Sequence, residues 1–371
     1  MNERESYIAL NMMEKVGPVS VRAMATGLGC VAAIFDAGKE DLLRIPGIGP
    51  ECAGAILNQK NEIDWQGEQE KAASLGAHIV TQIDAEYPKQ LLAIHDPPLV
   101  LYVQGEMENR DSHSIAIVGT RHATHYGLQC ADKLSFQMAT CGFTVVSGLA
   151  EGIDTAAHRA ALKAKGRTIA VIGSGLDCMY PASNKQLAQE IAGSGAVISE
   201  FPMGRKPDKT TFPIRNRIVS GLSKGVLVVE AGTKSGSLIT VNQAMDQGRT
   251  VFAVPGRIDS PASQGCLKLI KDGAKLVTDV DDVIAEYEFL IPHGSLRKTE
   301  TMPMPKLLPE EICLTNILSD GEQDVDSLIR RSGMKAQMVN SLLIGLEMKK
   351  VIRMQPGRIV ELINRGASNG N

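Results

Sequence analysis

The sequence predicts an α/β fold. A mostly parallel sheet is covered by helices on both faces, with a small helical domain before it and a helix-and-hairpin domain after it. Three observations predict this. From Ser114 to Val277 short apolar runs alternate with helical patterns, the rhythm of a parallel sheet buried on both sides. Residues 1 to 62 carry helical patterns alone, and residues 309 to 365 carry three helical patterns followed by two strand-like runs. A chain of 371 residues has room for two or three such domains.

Taken in order, the first domain spans 1 to 62. Its run Leu43 to Pro50 reads LRIPGIGP. Gly47 and Gly49 allow a tight turn between two helices, and their free N–H groups could meet a phosphate. The run resembles a helix-hairpin-helix; it also reads as a tight helical corner, because Glu40, Asp41 and Glu51 surround it. Residues 63 to 110 read as a bridge, with strands at Ile79 to Thr81 and Leu99 to Val103. In the core, 111 to 288, the strands are Ile115 to Val118, Thr144 to Val146, Thr168 to Ile172, Ala196 to Ile198, Val226 to Val229, Thr250 to Val254 and Lys275 to Val277. Helical patterns at Tyr126 to Met138, Thr155 to Lys163, Asn184 to Ile191, Ser237 to Asp246 and Cys266 to Lys271 separate most of them. Residues 289 to 308 are marked by Pro, Gly and Ser and read as a linker. The last domain, 309 to 365, resembles a winged helix, with its hairpin turned at Gln355-Pro356-Gly357. Its third helix has only Lys335, Lys349 and Lys350 on or beside it and a largely apolar middle, so duplex DNA and protein are both open as partners.

Ligands of a parallel sheet bind beyond the carboxyl ends of its strands. That rule gathers Gly119-Thr120-Arg121, Ser147-Gly148, Gly173-Ser174-Gly175 and Ala231 to Ser237 on one rim. The organising stretch is Thr211 to Ser223, where Phe212, Arg215, Asn216 and Arg217 open a helix whose apolar face reads Ile214, Ile218, Leu222. Cations at a helix N-terminus oppose its dipole and favour an anionic partner. An aromatic beside them suits a single strand of nucleic acid, a base to stack and a phosphate to pair. Against this stands a core Phe212 with its arginines paired to Glu200 or Glu230. Arg121 can fork onto a phosphate, or pair with Asp154 or Glu200. Lys234, Ser235, Gly236 and Ser237 precede a helix and form a phosphate cradle. Lys209 belongs to a basic loop with Arg205 and Lys206.

Other chemistries are not expected. Gly173-Ser174-Gly175 lacks the third glycine of a dinucleotide loop, and no Walker pattern occurs, so no cofactor is expected. Asp154 and His158 are spaced for one helix face but have no third ligand, and Asp154 suits an N-cap. Neither a metal site nor a catalytic residue is assigned. The seven cysteines contain no C-x-x-C pair and suit a reducing cytosol. The net charge of −3 confines any nucleic-acid contact to a local patch. With no secretory pattern at the start and no run of 18 apolar residues, the expectation is a cytoplasmic protein without a membrane span.

Read in order, SGLAEGID from Ser147, AVIGSGLDCMY from Ala170, SEFP from Ser199, FPIRNRIVSGLS from Phe212, EAGTKSGSLIT from Glu230 and VFAVPG from Val251 closely resemble the DNA-processing protein A family, DprA or Smf, of bacterial transformation. The likeness is dense from Ile115 to Val277. It implies an extended Rossmann-like core, binding of single-stranded DNA, and hand-over of that DNA to a RecA-type recombinase. It also implies a homodimer that protects incoming DNA and has no catalytic turnover. Family members commonly read G-T-N-x-L-I where this chain has Gly265-Cys266-Leu267-Lys268-Leu269-Ile270, so Cys266 and Leu267 are left out of the site. The loop from Glu230 to Ser237 also resembles that of lysine-decarboxylase-like nucleoside-monophosphate hydrolases. That is the alternative function, with Glu230 as its candidate carboxylate.

Overall fold

The apolar runs of the middle of the chain become strands because they are short, rich in Val and Ile, and buried on both faces. The computed structural model describes residues 1–287, 307–349, 351–355 and 358–362. The strands are β1 (Ala77–Thr81), β2 (Val100–Gly105), β3 (Ser114–Val118), β4 (Thr144–Ser147), β5 (Thr168–Val171), β6 (Ala196–Ser199), β7 (Gly225–Val228), β8 (Thr250–Ala253) and β9 (Lys275–Leu276). They form one sheet in the order β1-β2-β6-β5-β4-β3-β7-β8-β9. From β6 to β9 in that order all neighbours are parallel, while β2 runs antiparallel to β6 and to β1. The order reverses at β3, which lies between β4 and β7, so the switch point falls where Val118 pairs with Val228.

Successive side chains of a strand point to opposite faces, and the two cores obey this. Ile115 and Ile117 join the cluster that holds Ala131 and Leu134 of α8 (His125–Thr140) and Ala157 of α9 (Ile153–Lys163). Ala116 and Val118 join the other, with Ile218, Val219 and Leu222 of α11 (Thr211–Leu222) and Val241 of α12 (Ser237–Asp246). Further helices are α7 (Lys89–Leu92), α10 (Lys185–Ala192), α13 (Gln264–Lys271) and α14 (Asp281–Tyr287).

The first 62 residues supply α1 (Glu3–Met12), α2 (Pro18–Leu28), α3 (Ala33–Asp36), α4 (Lys39–Leu43) and α5 (Pro50–Gln59), and α6 (Trp65–Ser74) follows. They were expected to stand as a domain. Instead Ile8, Met24, Ile34 and Ile56 share one apolar cluster with Tyr102, Ala170 and Val197 of the sheet. The bridge is likewise part of the core, since β1 and β2 extend the sheet. Compact units are Met1–Thr299 and Glu300–Asn371. Gly47 has φ +86, which the hairpin between α4 and α5 requires, and Gly49 caps α5 with Pro50 in its first turn. Asp41 and Glu40 lie 3.6 and 3.9 Å from Arg44. The outer edge of β1 is tied off: Arg4 of α1 donates to the Ile79 carbonyl, and the Thr81 N–H donates to Asp84 at 2.7 Å.

The second unit contains α15 (Pro309–Leu318), β10 (Gln323–Asp324), α16 (Val325–Ser332), α17 (Ala336–Met348), β11 (Ile352–Gln355) and β12 (Ile359–Leu362). Its strands pair in the order β10-β12-β11, over a core that includes Leu314, Leu328, Val339, Leu343 and Val360. Lys349 is engaged by Glu311 at 2.7 Å. The outward positions of α17 include Met338, Asn340, Ser341, Ile344 and Glu347. The linker from 289 to 306, Lys350, the turn residues Pro356 and Gly357, and 363 to 365 lie outside the described residues. Among the described residues no helix is long and apolar enough to cross a membrane.

Candidate nucleic-acid interface

The N-terminus of α11 is built by Asp208, whose carboxylate accepts from the N–H of Thr210 at 2.7 Å and of Thr211 at 3.0 Å. The helix thus begins three residues before Ile214, and Pro213 lies in the first turn, where its missing N–H is not needed. This places Phe212 on the rim, half-buried. The Arg121 guanidinium lies over its ring, 5.2 Å from the centroid. The Tyr180 ring lies 5.9 Å away, tilted by 47°. A Cβ added at Gly173 would fall 2.9 Å from the Phe212 ring, so glycine is what lets the ring seat there.

The next turn of the helix corrects the sequence reading. Arg215 and Arg217 are both buried. Arg217 grips Glu200 with two bonds of 2.8 and 2.6 Å and reaches Asp96 at 2.8 Å. Arg215 donates to the carbonyls of Gly148 and Val171, at the ends of β4 and β5, and to the Asn216 side chain at 3.1 Å. Burial pulls the Arg215 pKa down to about 10, with Asp154 nearby opposing the fall. Burial raises the Asp154 pKa, and the Arg215 charge opposes that. These arginines brace the strand ends and do not face a groove. Asn216, whose amide oxygen Arg215 occupies, is half-buried. Ile214, expected on the apolar face, is 43% exposed, while Ile218, Val219 and Leu222 pack in the core.

Four further rim residues are floor, not surface. Ser147 is buried and its Oγ donates to the Ile117 carbonyl at 2.6 Å. The Gly148 N–H donates to Asp154 at 3.1 Å, and a Cβ at Gly148 would come within 2.5 Å of the Arg215 guanidinium. Gly173 and Ser174 are buried, and Ser174 Oγ has no hydrogen-bond partner among the described residues. Asp154 is not the N-cap of α9; Gly152 is, with φ +78 and a Cβ that would lie 2.4 Å from the Thr120 carbonyl. Asp154 instead pins the loop before the helix, taking the Ala150 N–H at 3.3 Å as well. His158 is fully buried against Thr168 Oγ1 at 2.7 Å. Burial, aided by the Arg215 charge, lowers its pKa to about 3. Among the described residues no group of three His, Cys, Asp or Glu could hold a metal ion.

The solvent-facing set is smaller. Arg121, Lys209, Lys234 and Gly236 are exposed, and Gly119, Thr120 and Ser235 are partly so. The Thr120 N–H donates to the Glu230 carbonyl at 2.8 Å, which joins β3 to β7 at the switch point. The Ser235 and Ser237 hydroxyls are 2.8 Å apart at the start of α12, and Ser237 is 9% exposed. Among the described residues Arg121, Lys206, Lys209 and Lys234 enter no salt bridge, whereas Arg205 holds Asp208 at 2.6 Å. Glu230 is buried, and both of its oxygens are engaged by Thr124, at 2.6 and 2.8 Å. Sequence reasoning missed Tyr180. The signal was an aromatic before a proline at the end of the Ala170 run, where an exposed turn follows a buried strand.

Comparisons with known proteins show the family. The model for DNA recombination-mediator protein A matches residues 78–288. The model for the DprA winged helix domain matches residues 298–358. Protein Smf of Synechocystis sp. is 37% identical over 312 residues, covering 83% of this chain and 77% of its own. The X-ray structure of DNA processing protein A from Streptococcus pneumoniae matches with a TM-score of 0.62 and 38% identity, over 72% of this chain and 95% of that one. A structure of DNA processing protein A from Helicobacter pylori, described for its single-stranded DNA binding mode, matches with a TM-score of 0.52 and 32% identity, over 57% of this chain and 96% of that one.

Proposed function

The chain belongs to the DNA recombination-mediator protein A family, and from that premise we propose that it binds single-stranded DNA along the rim at the carboxyl ends of β3, β5 and β7. One observation carries the reading: the half-exposed Phe212 ring, with the Arg121 guanidinium over it and Tyr180 beside it, at a corner whose lysines enter no salt bridge among the described residues. In the free chain the guanidinium covers the ring. When a strand enters, a base takes the ring and the fork turns to a phosphate, which suits Arg121 better than an apolar face. Lys209 and Lys234 track the backbone, and the Ser235 to Ser237 turn offers N–H groups at the α12 N-terminus. Arg215, Arg217, Asn216, Ser147, Gly148, Gly173 and Ser174 act one layer below, by shaping the corner.

Hand-over of the bound strand to a RecA-type recombinase, protection of incoming DNA, a homodimer and a cytoplasmic setting complete the proposal, on the strength of the family likeness. We place the DNA site within 111 to 288 and assign 309 to 365 as a winged helix in a partner-binding role. Nothing about Glu230 favours nucleotide hydrolysis, since its carboxylate serves the start of α8 through Thr124. The test is a salt titration of binding to single- and double-stranded oligonucleotides. Single strands should bind more tightly, with a log–log slope of about −0.7 per phosphate contact. Arg121→Ala should flatten that slope by about 0.7 while weakening binding. A salt-independent affinity, or an unchanged slope in Arg121→Ala, would remove the rim from the mechanism.

A further inference from the structure

We propose that Tyr180 is the outermost stacking surface of this rim, the ring that a base of a single strand meets first; the inference rests on the single-strand reading above. Phe212 is only half-buried, yet a guanidinium lies over it and Gly173 lies beneath it. Tyr180 is 48% exposed, and its ring is the neighbouring aromatic surface, 5.9 Å from Phe212 and tilted by 47°. The tilt turns the two rings into a wedge, so each can take a different base where the strand bends. A duplex would have to unstack a step to meet such a wedge, whereas a single strand need not, so the ligand class is unpaired bases.

The platform is held in place before any ligand arrives. The loop of Tyr180 is laced to the basic loop: the Gly175 N–H donates to the Arg205 carbonyl at 2.8 Å, and the Gly204 N–H to Asp177 at 2.9 Å. The Cys178 N–H closes the turn onto the Gly175 carbonyl at 2.9 Å. The unpaired Lys206 and Lys209 belong to that same basic loop, so a base on Tyr180 has cations near for its phosphates. Aromatic stacking tolerates any base, because every base has a π-face.

The experiment uses the full chain and a labelled pyrimidine oligonucleotide. Tyr180→Ala should weaken binding by roughly five- to 150-fold, the range of one lost base–aromatic stack, with the salt slope unchanged. Tyr180→Phe should bind as the unaltered chain does, and Tyr180→Leu should behave like the alanine variant. On a strand carrying abasic sites the unaltered chain and Tyr180→Ala should bind alike, because no base is left to stack. Recovery of full binding in Tyr180→Leu would reduce the residue to packing and overturn the proposal. So would Tyr180→Ala binding normally while Arg121→Ala is impaired, an outcome that leaves the rim reading intact. If neither variant is impaired, the rim reading itself fails and takes this inference with it.

Discussion

Two consecutive turns of α11, the first with an aromatic and the second with two cations, meet opposite fates. The first turn presents Phe212 to the rim, under a guanidinium contributed by another loop. The second sends Arg215 and Arg217 inward, onto two carbonyls and onto Glu200. In sequence the three look like one cationic, aromatic patch. In the fold, the arginine that stays free is Arg121, some ninety positions earlier in the chain. A buried guanidinium is tolerated only where acceptors converge on it, and the ends of β4, β5 and β6 supply them. The lesson is that charge near a helix N-terminus says little about exposure until the acceptors around it are known.

The comparison can be broken most forcefully at Arg217. Arg217→Ala strands the Glu200 carboxylate in the interior, and denaturant unfolding should show a loss of about 3–5 kcal/mol. Oligonucleotide binding, measured under conditions where the variant is folded, should keep its salt slope. A mild loss of stability with a flattened slope would instead put Arg217 in the groove. Phe212→Ala attacks the other turn. Binding should weaken by about 1–3 kcal/mol, while folding suffers less than the roughly 3–5 kcal/mol expected for a core phenylalanine. Intact binding together with a large fall in Tm would make the ring a core residue and erase the contrast.

A third, smaller effect sharpens the inner region through pH. His158 is held neutral beneath Arg215, with its pKa lowered from 6.5 to about 3. The unfolded chain therefore takes up a proton that the folded one refuses. Its contribution to stability is complete above pH 6.5 and drains away as pH falls toward 3. Between pH 6.5 and 5 the loss should be about 2 kcal/mol, at 1.36 kcal/mol per unit. His158→Asn should flatten this part of the stability curve. Parallel curves for the two chains would assign the acid sensitivity to other groups.

Much of the fold was legible because burial on both faces writes itself as short Val- and Ile-rich runs. The strands after Ser114 fall within a residue or two of their expected positions, and α12 falls at Ser237–Asp246 as read. The pairing of β2 with β6 was not legible, because it joins positions about a hundred residues apart and leaves no local pattern. For that reason 63 to 110 read as a bridge, and a fragment starting at 111 would lose two strands of the sheet. At the rim, Arg121, Lys209 and Lys234 are exposed and Phe212 is half-buried, in keeping with the surface positions expected of them. Ser147, Gly148 and Ser174 also follow strands, but a hydroxyl or a glycine there serves the interior as readily as the surface. Tyr180 went unread because its local signal, an aromatic before a proline, is shared by Tyr87, which is buried.

The tied edge of β1 has one more meaning. A run such as Ala77–Thr81 offers unpaired backbone groups along its open side, and strands of that kind recruit one another into aggregates. Here α1 and its Arg4, with Asp84, occupy that side, and at the far end of the sheet β9 is only two residues long, with Lys275 paired to Glu286. Among the described residues, then, one end of the nine-stranded sheet is tied off by side chains and the other is kept to two residues, so neither presents a long open strand.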